Sequence, residues 1–237
     1  LVKGIFCVSD VTSDSIKNHF PNWPSRTTIW HSLPDFWYQP SMSLIKQSCS
    51  INVAYVGRMV PEKGISVVAK LAKYLPEVSF HFVGSGPMIS YVENKGLPNT
   101  RCYGEIESRL ELLELLDSCA IVVQPSQPTD TWTEAFGLGV LEGMARGLLP
   151  VTTDTAGSLS ILGPELQYLA VPYQGYVDRF LAIVEAFDTP EICQLRSKCR
   201  DRATDFSLTK ISSVWEECFV KDQLIPSSES NVSENKR

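Results

Sequence analysis

The stretch INVAYVGRMVPEKGISVVAKLAKYLPEVSFHFVG, residues 51–84, contains the pattern that decides the fold class. Nearly continuous apolar runs at 51–57 and 78–84 predict two buried strands. Between them, apolar residues recur at helical spacing over 64–75. These residues are Ile65, Val68, Ala72 and Leu75. A strand, a helix and a second strand in this order indicate a parallel pair, because parallel neighbours need a crossover connection.

The same alternation continues over most of the chain, without an internal repeat. Further strands are predicted at 4–9, 27–31, 100–103, 120–124 and 149–153. Further helices are predicted at 12–20, 107–118, 139–146, 176–187, 190–204 and 207–220. The strands are apolar throughout rather than alternating, so the sequence predicts an α/β fold with a parallel sheet covered on both faces.

Composition limits the classes of function. The chain has 237 residues, a formal net charge of −6, 43% hydrophobic residues and 20% charged residues. This balance is typical of a globular protein and excludes a chain that is disordered, collagen-like or coiled-coil throughout. The acidic balance argues against nucleic acid as a partner, but it is compatible with a local basic site for an anionic ligand.

The sequence predicts neither a membrane span nor a metal site. No apolar stretch approaches the roughly 20 residues that a span needs. The first ten residues are too short an apolar run for a signal peptide, and the chain lacks an initiator Met, so we expect a piece of a longer protein or a processed product. The seven cysteines form no CxxC pair and the three histidines are scattered. This pattern favours reduced thiols and a cytoplasmic location, and it argues against a metal.

Two cations follow the strand at 51–57. In GRMVPEKG, residues 57–64, Arg58 and Lys63 lie on either side of a proline. Ligands of open parallel sheets bind beyond the carboxyl ends of the strands, where this loop is expected. Arginine can fork onto two phosphate oxygens and lysine supplies a mobile charge, so the pair suits a diphosphate. Two solvated surface cations explain the segment equally well.

Two further turns give weaker signals. The GSGP turn at 84–87 would let backbone amides approach a ligand near Gly84. It lacks the third glycine of a dinucleotide-binding loop, which counts against a nicotinamide dehydrogenase and favours a plain turn between strand and helix. In YGEI, residues 103–106, a nucleotide base could lie against the loop that contains Ile106.

The most informative stretch is PSQPTDTWTEAFGLGVLEGMARG, residues 125–147. It contains a long loop, then Glu134, a helix start opened by Gly137, and Glu142 about one turn inside the helix. The unpaired amides and positive dipole end of such a start suit an anion. An anion bound there would lie between two carboxylates that can each reach hydroxyl groups. The plain alternatives are a loop charge at 134 and a carboxylate that compensates the helix dipole at 142.

The order of these motifs resembles the carboxyl-terminal half of the retaining glycosyltransferases of the GT-B fold, family four (glycosyl transferases group 1). The matching segments are VGRMVPEKG (56–64), VGSGP (83–87), GEI (104–106), LLDSCAIVVQPS (115–126) and EAFGLGVLEGMARGLLPV (134–151). The last contains the E-x7-E motif of that family. The resemblance covers roughly 50–175 and, more loosely, the helices to 220. It implies a GT-B type fold with a Rossmann-like parallel sheet, and transfer of a sugar with retention from a nucleotide-diphosphate donor of UDP or GDP type, without a cofactor.

The resemblance also implies roles for individual residues. Arg58 and Lys63 would hold the donor diphosphate, and Glu134 would contact hydroxyls of the donor sugar. Glu142 would bind the ribose diol. The remaining positions implied to contact or shape the donor site are Phe136, Gly137, Leu138, Gly84, Ile106 and Ser126.

Two features depart from the family pattern. Residues 154–160 contain one glycine, Gly157, followed by Ser158, where many relatives have two glycines and then a glutamate. Family members also have two Rossmann-like domains, of which we expect only a remnant of the first here. The predicted division is a remnant at 1–31, a linker at 32–50, a nucleotide-sugar-binding domain at 51–220 and a disordered tail at 221–237.

Other functions remain compatible with the same residues. A non-catalytic nucleotide-sugar-binding module, or a truncated inactive copy of the enzyme, would share the donor site. An epimerase or a sugar phosphorylase of the same fold is a third alternative, although a phosphorylase would need a second basic cluster that the sequence lacks. The acceptor, whether sugar, lipid or protein, is left open, and so are peripheral contact with a membrane and activity of this chain by itself.

Overall fold

The first elements form a small parallel unit. The structure is a computed structural model that describes residues 5–22, 26–39 and 51–221. Strands β1 (Ile5–Cys7) and β2 (Arg26–Thr28) pair in parallel and are connected by helix α1 (Asp10–His19). The strand–helix–strand order predicted within 1–31 is therefore present.

The main sheet has six parallel strands. They are β3 (Asn52–Val56), β4 (Ser79–Val83), β5 (Thr100–Gly104), β6 (Ile121–Gln124), β7 (Leu149–Thr153) and β8 (Ala170–Val171). Their order is β5-β4-β3-β6-β7-β8, so the chain runs to one side of β3 and then returns to the other. This reversal creates a switch point between β3 and β6, where open α/β sheets bind ligands. The predicted α/β fold is confirmed.

Helices flank the sheet. They are α2 (Ile65–Tyr74), α3 (Ile89–Glu93), α4 (Arg109–Asp117), α5 (Leu138–Ala145), α6 (Ala156–Leu166), α7 (Tyr176–Glu185), α8 (Pro190–Ala203) and α9 (Leu208–Lys221). The sequence predicts no element at α3, α6 or β8, whereas the other elements lie within a few residues of their predicted positions. Helix α6 is broken near its end, because Gly163 has a φ of 69° and Pro164 follows it.

The described part of the predicted linker packs against the main domain. Residues 35–38 form a short 3-10 helix in which Trp37 is completely buried. Leu33 donates a backbone hydrogen bond to Phe206 at 2.9 Å, and its carbonyl accepts one from Leu208 at 2.8 Å. The chain is therefore fixed to the turn between α8 and α9 and to the start of α9. Positions 40–50 of the predicted linker and 222–237 of the predicted tail lie outside the described residues.

The apolar core lies between the main sheet and its helices. The sheet strands contribute mostly apolar residues, as the sequence predicts, and Val53, Ile121 and Val151 are completely buried. On one side, the ring of Phe80 in β4 lies 6.0 Å from the ring of Phe180 in α7. A core of this extent fixes the strands, so the loops at their carboxyl ends start from defined positions.

Candidate active site at the carboxyl edge of the sheet

Backbone hydrogen bonds join the loops at the carboxyl ends of neighbouring strands. The amide of Gly57 donates to Val83 at 3.0 Å, and that of Gly84 donates to Gly104 at 2.7 Å. Farther along, the amide of Gln127 donates to Glu62 at 2.7 Å. A Cβ at position 84 would overlap the carbonyl of Gly57, so glycine is required there for close packing. Gly84 is predicted to contact the nucleotide-sugar donor, but its amide already has a protein partner.

Lys63 and Glu134 form an ion pair beside this joined set of loops. Lys63 ends a short 3-10 turn after β3, and the next residue, Gly64, adopts a left-handed conformation with φ of 72°. Glu134 comes from the loop between β6 and α5. The two side chains are only 12% and 9% exposed. The structure therefore brings together two predicted site residues from opposite sides of the switch point.

One oxygen of the Glu134 carboxylate receives every hydrogen bond that this group accepts from the described residues. Its Oε2 is bonded by the Lys63 ammonium, by Gln124 Nε2 at 2.7 Å and by the buried Ser126 hydroxyl at 3.2 Å. Its Oε1 accepts none from residues 5–22, 26–39 or 51–221. The carboxylate is thus held through one oxygen and presents the other to a ligand.

Arg58 has a different environment. Its backbone is fixed, because the buried Tyr55 hydroxyl donates to the Arg58 carbonyl at 2.6 Å. Burial also raises the pKa of that tyrosine, which therefore stays neutral. The guanidinium of Arg58 is exposed and forms no hydrogen bond or salt bridge within the part of the chain that the structure describes. It is a cation available to an anionic ligand.

The start of α5 adds backbone donors. Gly137 has a φ of 93° and begins the helix, with Phe136 buried before it and Leu138 exposed after it. Gly139 allows the helix to approach β3 so closely that a Cβ would overlap the carbonyl of Val56. Among the described residues, none accepts a hydrogen bond from the amides of positions 137–139. These donors and the helix dipole make this end suitable for an anion.

Glu142 lies in α5 and is 8% exposed. Burial raises the pKa of its carboxyl to about 7, and the positive charge of Arg109 opposes that rise. No hydrogen bond to this carboxyl comes from the residues that the structure describes. An ionised carboxyl accepts hydrogen bonds and a protonated one can also donate, and both suit a hydroxyl ligand. Ile106, the predicted base contact, is half-buried in the loop before α4.

Sequence reasoning missed three residues near this site. Gln124 is the polar end of an otherwise apolar strand, which is a signal that could have identified it, and its Oε1 is buried without a partner among the described residues. The ring of Trp132 lies under the ammonium of Lys63, whose Nζ is 5.5 Å from the ring centroid. Arg109 begins α4 and is close enough to influence Glu142.

A cavity of about 520 Å³ lies elsewhere, between the end of α6 and α8, and contains none of the predicted site residues. Within the described ranges, no group of three His, Cys, Asp or Glu side chains could hold a metal ion. In the same part of the chain, no helix combines the length and apolar character needed to cross a bilayer.

Known proteins resemble this chain in sequence. The family model for glycosyl transferases group 1 matches residues 45–204. Sulfoquinovosyl transferase SQD2 of Arabidopsis thaliana is 33% identical over 117 residues, which is 48% of this chain and 21% of that protein. The uncharacterized glycosyltransferase YqgM of Bacillus subtilis is 31% identical over 109 residues, 43% of this chain and 29% of that protein. The matches therefore span less than a third of either relative.

Solved structures share the fold. A glycosyltransferase from Rickettsia africae superposes with a TM-score of 0.76 at 15% identity, covering 93% of this chain and 64% of that one. Anabaena Alr3699/HepE, solved with UDP and glucose, gives a TM-score of 0.75 at 17% identity with the same coverage. TarM of S. aureus gives 0.72 at 20% identity and covers 91% of this chain and 43% of that one.

The motifs, the sheet order and the similar proteins all indicate the same fold and family. The fold is of the GT-B type, and the family match covers most of the chain, including the two loops that hold Lys63 and Glu134. The chain belongs to the family of glycosyl transferases group 1.

Proposed function

We propose that this chain carries the donor site of a glycosyltransferase that takes its sugar from a nucleotide diphosphate and retains the anomeric configuration. The observation that carries the proposal is the asymmetric Glu134 carboxylate. Lys63, Gln124 and Ser126 hold its Oε2, and no described residue bonds its Oε1. A carboxylate fixed in this way is prepared to accept a hydrogen bond from a sugar hydroxyl, because its orientation needs no further ordering.

The diphosphate would lie between Arg58, Lys63 and the start of α5. Arg58 supplies a guanidinium free of protein partners, and the amides of residues 137–139 supply backbone donors. As the bond between the anomeric carbon and the phosphate oxygen breaks, negative charge grows on the leaving diphosphate. Fixed cations and a helix N-terminus stabilise that charge most strongly in the transition state.

Glu142 would bind the ribose of the nucleotide, and the loop at Ile106 would contact the base. The buried carboxyl of Glu142 has no hydrogen-bond partner among the described residues, so a diol would satisfy it. The Anabaena relative was solved with UDP and glucose, which makes UDP the first nucleotide to test.

The described cysteines are free thiols, which supports a cytoplasmic location.

In the proposed reaction, the acceptor oxygen attacks the anomeric carbon from the face that the diphosphate leaves. One carbon–oxygen bond forms and one breaks, and the acceptor proton passes to an oxygen of the leaving phosphate. The protein residues bind and stabilise charge rather than form a covalent intermediate. The acceptor would be bound by parts of the complete protein beyond this chain, which covers only part of its relatives.

The test uses the complete natural protein with UDP-, GDP- and ADP-sugars. We expect Lys63→Met to lower kcat by about 100-fold or more, since it removes a fixed charge beside the leaving group. Glu134→Gln should lower kcat/KM while the unfolding transition stays near that of wild type. Lys73→Met and Glu216→Gln, at exposed positions on α2 and α9, are matched controls that should stay active.

Three results would change the proposal. Full activity of both site variants would overturn it. A product whose anomeric proton coupling in the NMR spectrum shows inversion would remove the retaining mechanism. Nucleotide binding without sugar transfer to any acceptor would establish the binding-module alternative instead.

A further inference from the structure

Trp132 occupies a fixed position in the loop between β6 and α5. The amide of Thr129 donates to the Trp132 carbonyl at 2.8 Å, and the amide of Trp132 donates back to the Thr129 carbonyl at 3.4 Å. This reciprocal pair closes a tight turn two residues before Glu134. The backbone of Trp132 is therefore held in place, although the residues between the two bonds are exposed.

The half-buried indole of Trp132 lies against Lys63. The Lys63 ammonium is over the ring, 5.5 Å from its centroid, and it also contacts the Glu134 carboxylate. Within the described residues, no other aromatic ring packs against Trp132. The ammonium thus lies between the face of an aromatic ring and a carboxylate, and both attract a cation.

Lys63 needs such support because its own side chain is flexible. Four rotatable bonds separate the ammonium from the backbone, and a hydrated ammonium gains freedom by turning to solvent. Its backbone is fixed by hydrogen bonds. The amide of Lys63 donates to the carbonyl of Val60 at 3.1 Å, and the amide of Gly64 donates to the carbonyl of Pro61 at 2.9 Å. Glu134 alone holds the ammonium from one side, and that carboxylate is shared with Gln124 and Ser126.

We propose that Trp132 is a positioning residue that holds the Lys63 ammonium beside Glu134, in the place where it meets the donor diphosphate. This inference rests on the proposed function for the identity of the ligand. It requires an aromatic ring at position 132 rather than apolar volume alone. Phenylalanine should therefore substitute for tryptophan, and leucine should not.

Proton NMR of the complete protein with labelled lysines tests the position directly. A lysine ε-methylene over an aromatic ring is displaced upfield, and the Lys63 signal is assigned by its loss in Lys63→Arg. We expect Trp132→Leu to return this signal to the value of a solvated lysine and Trp132→Phe to keep most of the displacement. Lys95, whose Nζ lies 4.4 Å from the ring centroid of Tyr91, is an internal control that should not move.

Calorimetry with UDP, GDP and ADP tests the consequence. Trp132→Leu should weaken binding of the preferred nucleotide by about 3- to 30-fold, which corresponds to the loss of a cation–π contact. Trp132→Phe should stay within about 3-fold of wild type. Tyr91→Leu removes a comparable lysine–ring contact away from the site and should leave the affinity unchanged.

The outcomes separate this inference from the proposed function. An unmoved Lys63 signal in Trp132→Leu, or equal nucleotide affinity of Trp132→Leu and wild type, would overturn the role of Trp132 and leave the donor site intact. If the wild-type protein binds none of the three nucleotides, the proposed function fails, and the NMR signal still decides whether Trp132 positions Lys63.

Discussion

The amide of Gly157, at the start of α6, donates a hydrogen bond to the carbonyl of Glu134 at 3.2 Å. The first turn of α6 therefore holds the backbone of the residue whose side chain is central to the site. A Cβ at position 157 would lie 2.6 Å from both the Glu134 carbonyl oxygen and the Phe136 amide nitrogen. Contacts this short involve backbone atoms, so they cannot be relieved by a side-chain rotation.

Gly157→Ala should therefore displace the loop that holds Glu134. We expect a loss of about 1–3 kcal/mol in the free energy of unfolding, as for other overpacked sites, together with weaker nucleotide binding. Gly175→Ala is the matched control, because no atom lies within 4 Å of a Cβ there. Urea unfolding and calorimetry measure the two effects, and a Gly157→Ala protein equal to Gly175→Ala in both would contradict the prediction.

Strands β6 and β7 were predictable because their apolar runs are buried on both faces, but α6 was not. Its sequence contains Gly157, Gly163 and Pro164, which favour a loop. The helix forms nevertheless, because the Thr155 hydroxyl accepts a hydrogen bond from the Ser158 amide at 3.3 Å and Ile161 is buried against the core. Tertiary packing decides such a segment, and no local pattern records it.

The site was also predictable only in part. Topology alone predicts that the loops with Lys63 and Glu134 lie at one edge of a parallel sheet. Their pairing depends on the course of the long loop at 125–137, which has no periodicity from which to predict it. Gln124 carries a partial signal as the polar end of an apolar strand, whereas Trp132 carries none, since the lysine that its ring contacts comes from another loop.

Gln124→Met should separate catalysis from stability. The amide of Gln124 donates to Glu134 at 2.7 Å, while its Oε1 is buried without a described partner. Methionine removes the donor to a charged group and also removes the unpaired acceptor. We expect kcat/KM for the nucleotide sugar to fall by about 10- to 100-fold. The free energy of unfolding should change by less than about 1 kcal/mol.

The control for that variant is Gln194→Met, at an exposed position on α8. It should leave both kinetics and unfolding unchanged. If Gln124→Met lowers stability by several kcal/mol, Gln124 supports the fold rather than the orientation of Glu134.

Arg146 fixes the segment around Trp37 and Gln39, which precedes the main domain. Its guanidinium bonds both oxygens of Asp117, at 2.6 and 2.8 Å, and also the carbonyls of Trp37 and Gln39, at 2.8 and 2.9 Å. The two charged side chains are 6% and 13% exposed. Arg146→Met should lower the free energy of unfolding by about 3–5 kcal/mol, because it leaves a largely buried carboxylate without its partner.

The same substitution should speed hydrogen exchange at the amides of Trp37 and Gln39, because the segment loses its connection to α5. Asp205→Asn breaks the more exposed pairs with Arg202 and Lys210 and should cost less than about 1 kcal/mol. Exchange rates at 37 and 39 equal to those of wild type would show that the other contacts of the segment, such as the Leu33 backbone hydrogen bonds and the buried Trp37 ring, hold it without Arg146.

Glu142 should make stability depend on pH in a defined direction. Burial raises the pKa of this carboxyl from 4.5 to about 7, so the folded state binds its proton more tightly than the unfolded state does. The stabilisation is present below pH 4.5 and is lost as the pH rises through about 7. The loss amounts to about 3 kcal/mol over this interval. Glu142→Gln imitates the protonated carboxyl, so its stability should not fall in the same way.

The measurement is the difference in unfolding free energy between wild type and Glu142→Gln at a series of pH values. Taking the difference cancels other titrating groups, such as His81, whose lowered pKa acts in the opposite direction. The variant should gain on wild type between pH 4.5 and 7. A constant difference for Glu142→Gln would mean that its carboxyl is solvated in the folded protein. In that case Glu142 would bind a ribose from a position exposed to water.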